Sequence, residues 1–114
     1  MCNNKNCISD ILKAILILQK NSEIDEYNFL GLNTICNTRP VMLFSTSCNQ
    51  VRIPINKEEF GEVFRIEKLD GNCATFRILI SKDENYIATK KFFTIDLSHC
   101  AIIRCLSDIF IECA

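Results

Sequence analysis

The chain has 114 residues, 48% of them hydrophobic and 24% charged, enough for one ordinary core and too short for two. Those proportions match a globular protein and exclude a disordered or collagen-like polymer. Thirteen basic and fourteen acidic residues leave a net charge of -1, which supplies no basic field for nucleic acid, so no nucleic-acid partner is expected.

In chain order, residues 1–7 are polar, carry Cys2 and Cys7, and read as a mobile arm. Residues 8–114 read as a single domain. Within it, Ile8, Ile11, Leu12, Ile15 and Leu16 recur at helical spacing and predict a helix over 8–20, capped by Asn6 or Ser9 and with Asp10 suited to the helix dipole. Ala14, Ile17 and Leu18 widen the apolar stripe. The helix is therefore expected to lie over a sheet, with a subunit interface as the alternative. The run Ala14–Leu18 is too short to span a membrane and precedes no small-residue cleavage site. No membrane span and no secretory signal are expected, and synthesis in a cytosol follows. Asn21 to Asn28 reads as a polar connector before the apolar segment Phe29-Leu30-Gly31-Leu32.

A β domain is expected from about residue 35 to 114. Val41–Ser45 reads as a strand, and Val51, Ile53 and Ile55 alternate with Arg52 and Pro54 in a second, placed at an edge by its proline. Val63–Leu69 and Cys73–Ile80 form a hairpin. A two-residue Asp-Gly turn would set Phe64 against Arg77, whereas a three-residue loop Asp70-Gly71-Asn72, with Asn72 left-handed, pairs Phe64 with Ile78 and Ile66 with Phe76. The second is the expected solution. It puts Arg65 opposite Arg77, with Glu67 opposite Thr75 and diagonal to Arg77 to offset the like charges, and leaves Cys73 on the arginine-bearing face. A polar loop follows from Ser81 to Asn85, then alternation at Phe93, Ile95 and Leu97, and strand-like stretches at Ala101–Leu106 and Asp108–Cys113. One N-terminal helix and about seven short strands predict a mainly β protein, an antiparallel sandwich or flattened barrel.

The eight cysteines are the departure from an average composition. They contain no CxxC pair, so neither a zinc knuckle nor a thioredoxin-like site is expected. The one histidine, His99, adjoins Cys100 but faces away from it on a strand. No phosphate-binding loop, nucleophile elbow or zinc-protease motif occurs. The reading is no catalytic residue, no metal and no cofactor. The cysteines are expected to form a mixture of internal and intersubunit bridges; the alternatives are that all stay reduced, as buried fillers in a small monomeric or dimeric binding module, or that all pair internally. Cys100 and Cys105 cannot pair on one continuous strand, being roughly 16 Å apart at about 3.3 Å per residue. Cys2, Cys7 and Cys113 lie near the chain ends, where capture of another copy is easiest, and Arg39 is a weaker candidate for contact with a neighbour's carboxylate.

Several segments together carry a resemblance. Cys7-Ile8-Ser9-Asp10-Ile11 with Leu18-Gln19, Phe29-Leu30-Gly31, Asn37-Thr38-Arg39-Pro40, Phe64-Arg65-Ile66-Glu67, Cys73 through Leu79, and Thr94-Ile95-Asp96-Leu97-Ser98 through Cys105-Leu106-Ser107-Asp108 resemble, in order, the spore coat protein Y/Z and exosporium basal-layer family. The resemblance implies a protein made in the mother-cell cytoplasm and laid on the endospore surface, in coat or exosporium. It implies self-assembly, as hexameric rings tiling into a layer, with other spore coat proteins as partners and disulfides as locks. Among the matched positions it favours Cys7, Cys73 and Cys105 as cross-links, ahead of Cys2 and Cys113, with Cys36, Cys48 and Cys100 completing the set.

Overall fold

The computed structural model describes residues 7–25 and 35–112. Helix α1 (Cys7–Asp25) is followed by β1 (Ile35–Thr38), β2 (Val41–Ser45), β3 (Ile53–Pro54), β4 (Phe60–Gly61), β5 (Val63–Asp70), β6 (Cys73–Lys82), β7 (Asn85–Asp96), a 3₁₀ turn (Leu97–His99), β8 (Cys100–Cys105) and β9 (Ile109–Glu112). The chain is mainly β with one N-terminal helix, and every strand pairing is antiparallel. Residues 1–6 of the expected arm, the segment Phe29–Leu32 and Cys113 lie outside the described residues, and Cys7, expected in the arm, is the first residue of the helix. The helix runs on to Asp25, beyond the expected stop at Lys20, because Asn21–Asp25 contains no Gly or Pro to end it.

The main sheet has the order β7-β6-β5-β2-β8. Its two edge strands, β7 and β8, are joined only by Leu97–His99. In a flat sheet they would stand four spacings of about 4.8 Å apart, about 19 Å, whereas Asp96 to Cys100 covers at most about 14 Å of extended chain. The sheet must therefore curl, yet β7 and β8 do not pair, so no closed barrel forms among the described residues. Leu97 is fully buried at the junction, and its N–H donates to the Asn72 carbonyl at 2.8 Å. The expected run Phe93–Ile95–Leu97 thus ends one residue early as strand while keeping Leu97 in the core.

One face of the curled sheet carries Val41, Leu43, Phe64, Ile66, Phe76 and Ile78, and α1 covers it with Ile8, Leu12 and Ile15. Phe64 meets Phe93 edge-on at 4.7 Å, and Phe93 stacks on Phe76 at 5.4 Å. A second cluster, Val63, Leu79 and Ile111, lies under the ribbon of β1 and β9. Gly61 closes one corner: a Cβ there would come within 2.2 Å of Ile78 Cγ2, a buried methyl with nowhere to move.

The hairpin of β5 and β6 has the expected faces and a different turn. Phe64 pairs with Ile78, Ile66 with Phe76 and Arg65 with Arg77. Asp70 pairs with Cys73, however, so the loop is the two residues Gly71-Asn72, with Gly71 rather than Asn72 at positive φ (60°). Glycine at the first central position suits a type II′ turn. The extra residue sits inside β5 instead, as a bulge at Glu67, and Thr75 faces Lys68. A second two-residue hairpin follows, with Asp83 and Glu84 both at positive φ: the loop expected over Ser81–Asn85 is shortened to these two residues, and β7 runs from Asn85 through residues 86–92, for which no element was expected. The ribbon of β1 and β9 was not expected as a pairing, although Ile109 and Ile111 do share a buried side, as their alternation indicates.

Beside the bulge, the side chain of Gln19 is 3% exposed. Its Nε2 donates to the Ile66 carbonyl at 2.8 Å, and its Oε1 accepts from Thr38 Oγ1. Truncating it strands two buried polar groups, each worth about 1–3 kcal/mol. Gln19→Ala should therefore lower unfolding stability by about 2–4 kcal/mol in urea titration, whereas Lys20→Ala, one residue on and exposed, should shift it by under about 0.5 kcal/mol.

Candidate functional site

Five of the eight cysteines have described side chains, and all five are free thiols. Cys7, Cys48, Cys73 and Cys105 are exposed, and Cys100 is buried, 7% exposed. Cys36 lies in β1 opposite Ile111, and Cys2 and Cys113 fall outside the described residues.

Each exposed thiol is held by a defined piece of backbone. Cys7 opens α1. Cys48 sits in the turn after β2 at φ 67°, a left-handed position unusual for a residue with a side chain. That turn is fixed by the Cys48 N–H donating to the Ser45 carbonyl at 2.9 Å and the Asn49 N–H to Ser45 Oγ at 3.2 Å. Cys73 starts β6, opposite Asp70 on β5 and Asp96 on β7, on the arginine-bearing face. Cys105 ends the edge strand β8, opposite Val41 and close enough to Arg39 to act on its charge.

Cys100 differs in kind. It begins β8 beside the 3₁₀ turn and packs into the main core. Burial, then the nearby Asp96 carboxylate, pushes its thiol above the ordinary value, so it stays protonated and unreactive. His99, next to it, is exposed. Asp96 is itself held low by the Ser98 N–H, which it accepts as cap of the turn, and it also accepts from Asn72 Nδ2 at 2.8 Å. Among the described residues no three His, Cys, Asp or Glu side chains converge on a metal-sized site.

The charged side chains form two arrangements. On the outer face of β5 and β6, Glu67 Oε2 accepts from Arg65 Nη1 at 2.6 Å and from Arg77 Nε at 3.1 Å. The bulge places Glu67 between the two arginines, and Arg77 also lies over the Phe92 ring at 4.6 Å. Arg39, expected as a contact for a neighbour, forms a bidentate pair with Asp108 of its own chain, at 2.8 and 3.2 Å. That hydrogen bond raises Arg39 and lowers Asp108 from their usual values. Among the described residues, no helix is long and apolar enough to cross a membrane.

Comparison with protein families, curated proteins and solved structures finds no match to the chain.

Two measurements follow from this geometry. An aromatic disulfide reagent should modify Cys7, Cys48, Cys73 and Cys105 in the native protein within minutes, and Cys100 only on denaturation; peptide mapping reads the order. Because the folded Asp108 carboxyl is depressed, its pair with Arg39 contributes fully above the unfolded carboxyl value of about 3.9 and is lost as pH falls through the folded value. Half-exposed, the pair is screened and its share is small. Thermal unfolding from pH 6 to pH 2 should accordingly fall less steeply for Asp108→Asn than for the parent.

Proposed function

We propose that the protein is a non-enzymatic structural component that assembles with copies of itself into a disulfide-cross-linked layer, of the endospore coat or exosporium. The observation that carries this reading is that Cys7, Cys48, Cys73 and Cys105 are all exposed. They sit on a fold whose core is aliphatic and aromatic and needs no internal bridge. A module with its cysteines as core fillers would bury them, and only Cys100 among the described ones behaves so. Thiols on separate elements suit a lattice, because a layer needs each copy to join more than one neighbour. The segments that resemble the spore coat Y/Z and exosporium basal-layer family point the same way. They imply synthesis in the mother-cell cytoplasm, oxidation once that cell lyses, and other spore coat proteins as further partners.

The joining step is thiol–disulfide exchange. A thiolate of one copy attacks a small disulfide such as oxidised glutathione and releases one glutathione thiol. A thiolate of a second copy then displaces the other glutathione, leaving one protein disulfide and two reduced glutathiones.

Incubated with oxidised glutathione, the full chain should run on non-reducing gels as a ladder of multimers that dithiothreitol returns to monomer. Replacing Cys7, Cys48, Cys73 and Cys105 by Ser should remove most of the ladder while leaving the circular dichroism spectrum unchanged. A parent protein that stays monomeric with intact thiols under the same oxidant would refute the reading.

A further inference from the structure

The three glycines follow Leu30, Phe60 and Asp70, so Asp70-Gly71 is the one place where an aspartate or asparagine precedes glycine. A glycine there leaves its own nitrogen open to the neighbouring carboxyl, because no Cβ stands in the way.

The fold leaves this pair unprotected. Asp70 ends β5 and pairs with Cys73 as the last rung of the hairpin. β2 pairs with β5 only at Phe64, so Asp70 has a strand on one edge alone. The closing bonds of a two-residue turn run between residues 70 and 73, which leaves the Gly71 N–H outside the ladder. Gly71 is exposed at φ 60°, and a Cβ built there would meet nothing within 4 Å beyond its own neighbours in the chain. The Asp70 carboxylate is exposed as well and makes no hydrogen bond or ion pair with the described residues. The other half of the turn is held. The Asn72 carbonyl accepts from the Leu97 N–H at 2.8 Å, and Asn72 Nδ2 donates to Asp96 at 2.8 Å. Asp96 and Asp108, by contrast, accept hydrogen bonds from Ser98 and Arg39, and they precede Leu97 and Ile109, whose side chains crowd the attacking nitrogens.

We propose that Asp70 is a site of spontaneous covalent modification, where the folded chain converts aspartate to isoaspartate through a cyclic imide. The Gly71 nitrogen attacks Cγ of the Asp70 carboxyl in its acid form. A bond forms between that nitrogen and Cγ, the nitrogen gives up its proton, and one water leaves. Water then opens the ring. Opening at Cγ restores aspartate, whereas opening at the backbone carbonyl carbon leaves the chain running through Cβ and Cγ. No oxidant or other reactant enters, and the elemental composition is unchanged. The product carries one more carbon in its backbone, so residue 70 can no longer meet Cys73 in the same register. The reaction needs only the folded chain, in a layer or free.

Reduced protein held at neutral pH and physiological temperature for several weeks should accumulate isoaspartate at residue 70 ahead of every other aspartate. Labelling with an isoaspartyl methyltransferase followed by peptide mapping reads the position. Asp70→Glu, whose ring would be one atom larger and closes slowly, should remove that signal and keep the circular dichroism spectrum. Asp70→Asn should pass through the same ring faster, releasing ammonia. The parent chain unfolded in guanidinium chloride sets the unprotected rate, and the folded chain should react within about tenfold of it, as a site that opens at little cost does. A folded rate more than about tenfold below the unfolded one, no isoaspartate at residue 70, or faster reaction at another aspartate would overturn the proposal.

Discussion

The side chain of Gln19 holds three parts of the molecule to one another. It belongs to the helix, it donates to the carbonyl of Ile66 in the sheet, and it accepts from Thr38 in the ribbon. The Ile66 carbonyl lies next to the bulge at Glu67, where the register between β5 and β6 shifts. On the other face of the sheet Glu67 lies between Arg65 and Arg77 and makes the buried arginine tolerable.

This explains why the hairpin was legible in its faces and not in its turn. Pairing Phe64 with Ile78 and Ile66 with Phe76 requires one residue more than a two-residue Asp-Gly turn supplies. A three-residue loop meets that need, and so does a two-residue Gly71-Asn72 turn combined with a bulge. The two are indistinguishable from the apolar pattern of the core pairs alone. The signal that separates them is local: Ile66-Glu67-Lys68-Leu69 has two polar residues between two inward apolar ones, where strict alternation allows one. The ribbon was hidden for another reason. Ile35–Thr38 pairs with Ile109–Glu112, at the far end of the chain, and no turn joins them to announce it. Residues 85–92 were obscured because Asp83 and Glu84 take the left-handed angles that glycine or asparagine usually marks.

The thiols divide along the same line between local and long-range information. That Cys73 shares a face with Arg77 follows from alternation within β6, and the structure agrees. That Cys100 is buried depends on the curl of the sheet, which brings the start of β8 to the helix and to Leu97; no pattern near Cys100 encodes it. Arg39 is similar, since its partner Asp108 becomes a neighbour only once β2 and β9 are in place. The sequence motifs point to cysteines as a class, and the fold decides which of them meet solvent.

The rotation of the helix about its own axis is set by polar contacts rather than by its apolar stripe. An apolar stripe alone would let α1 roll about its axis, since Ile11, Ala14 and Leu18 are as acceptable to a core as Ile8, Leu12 and Ile15. Hydrophobic burial is not directional, but the two hydrogen bonds of Gln19 are. Rolling the helix to bury Leu18 would pull the Gln19 amide from the Ile66 carbonyl and leave that carbonyl unpaired in the core. The buried polar contact therefore fixes which stripe faces the sheet, and in doing so it fixes Cys7, Ile11, Ala14 and Leu18 as the stripe that faces out. The exposure of that stripe is thus set by the two hydrogen bonds of Gln19 and not by the apolar pattern of the helix.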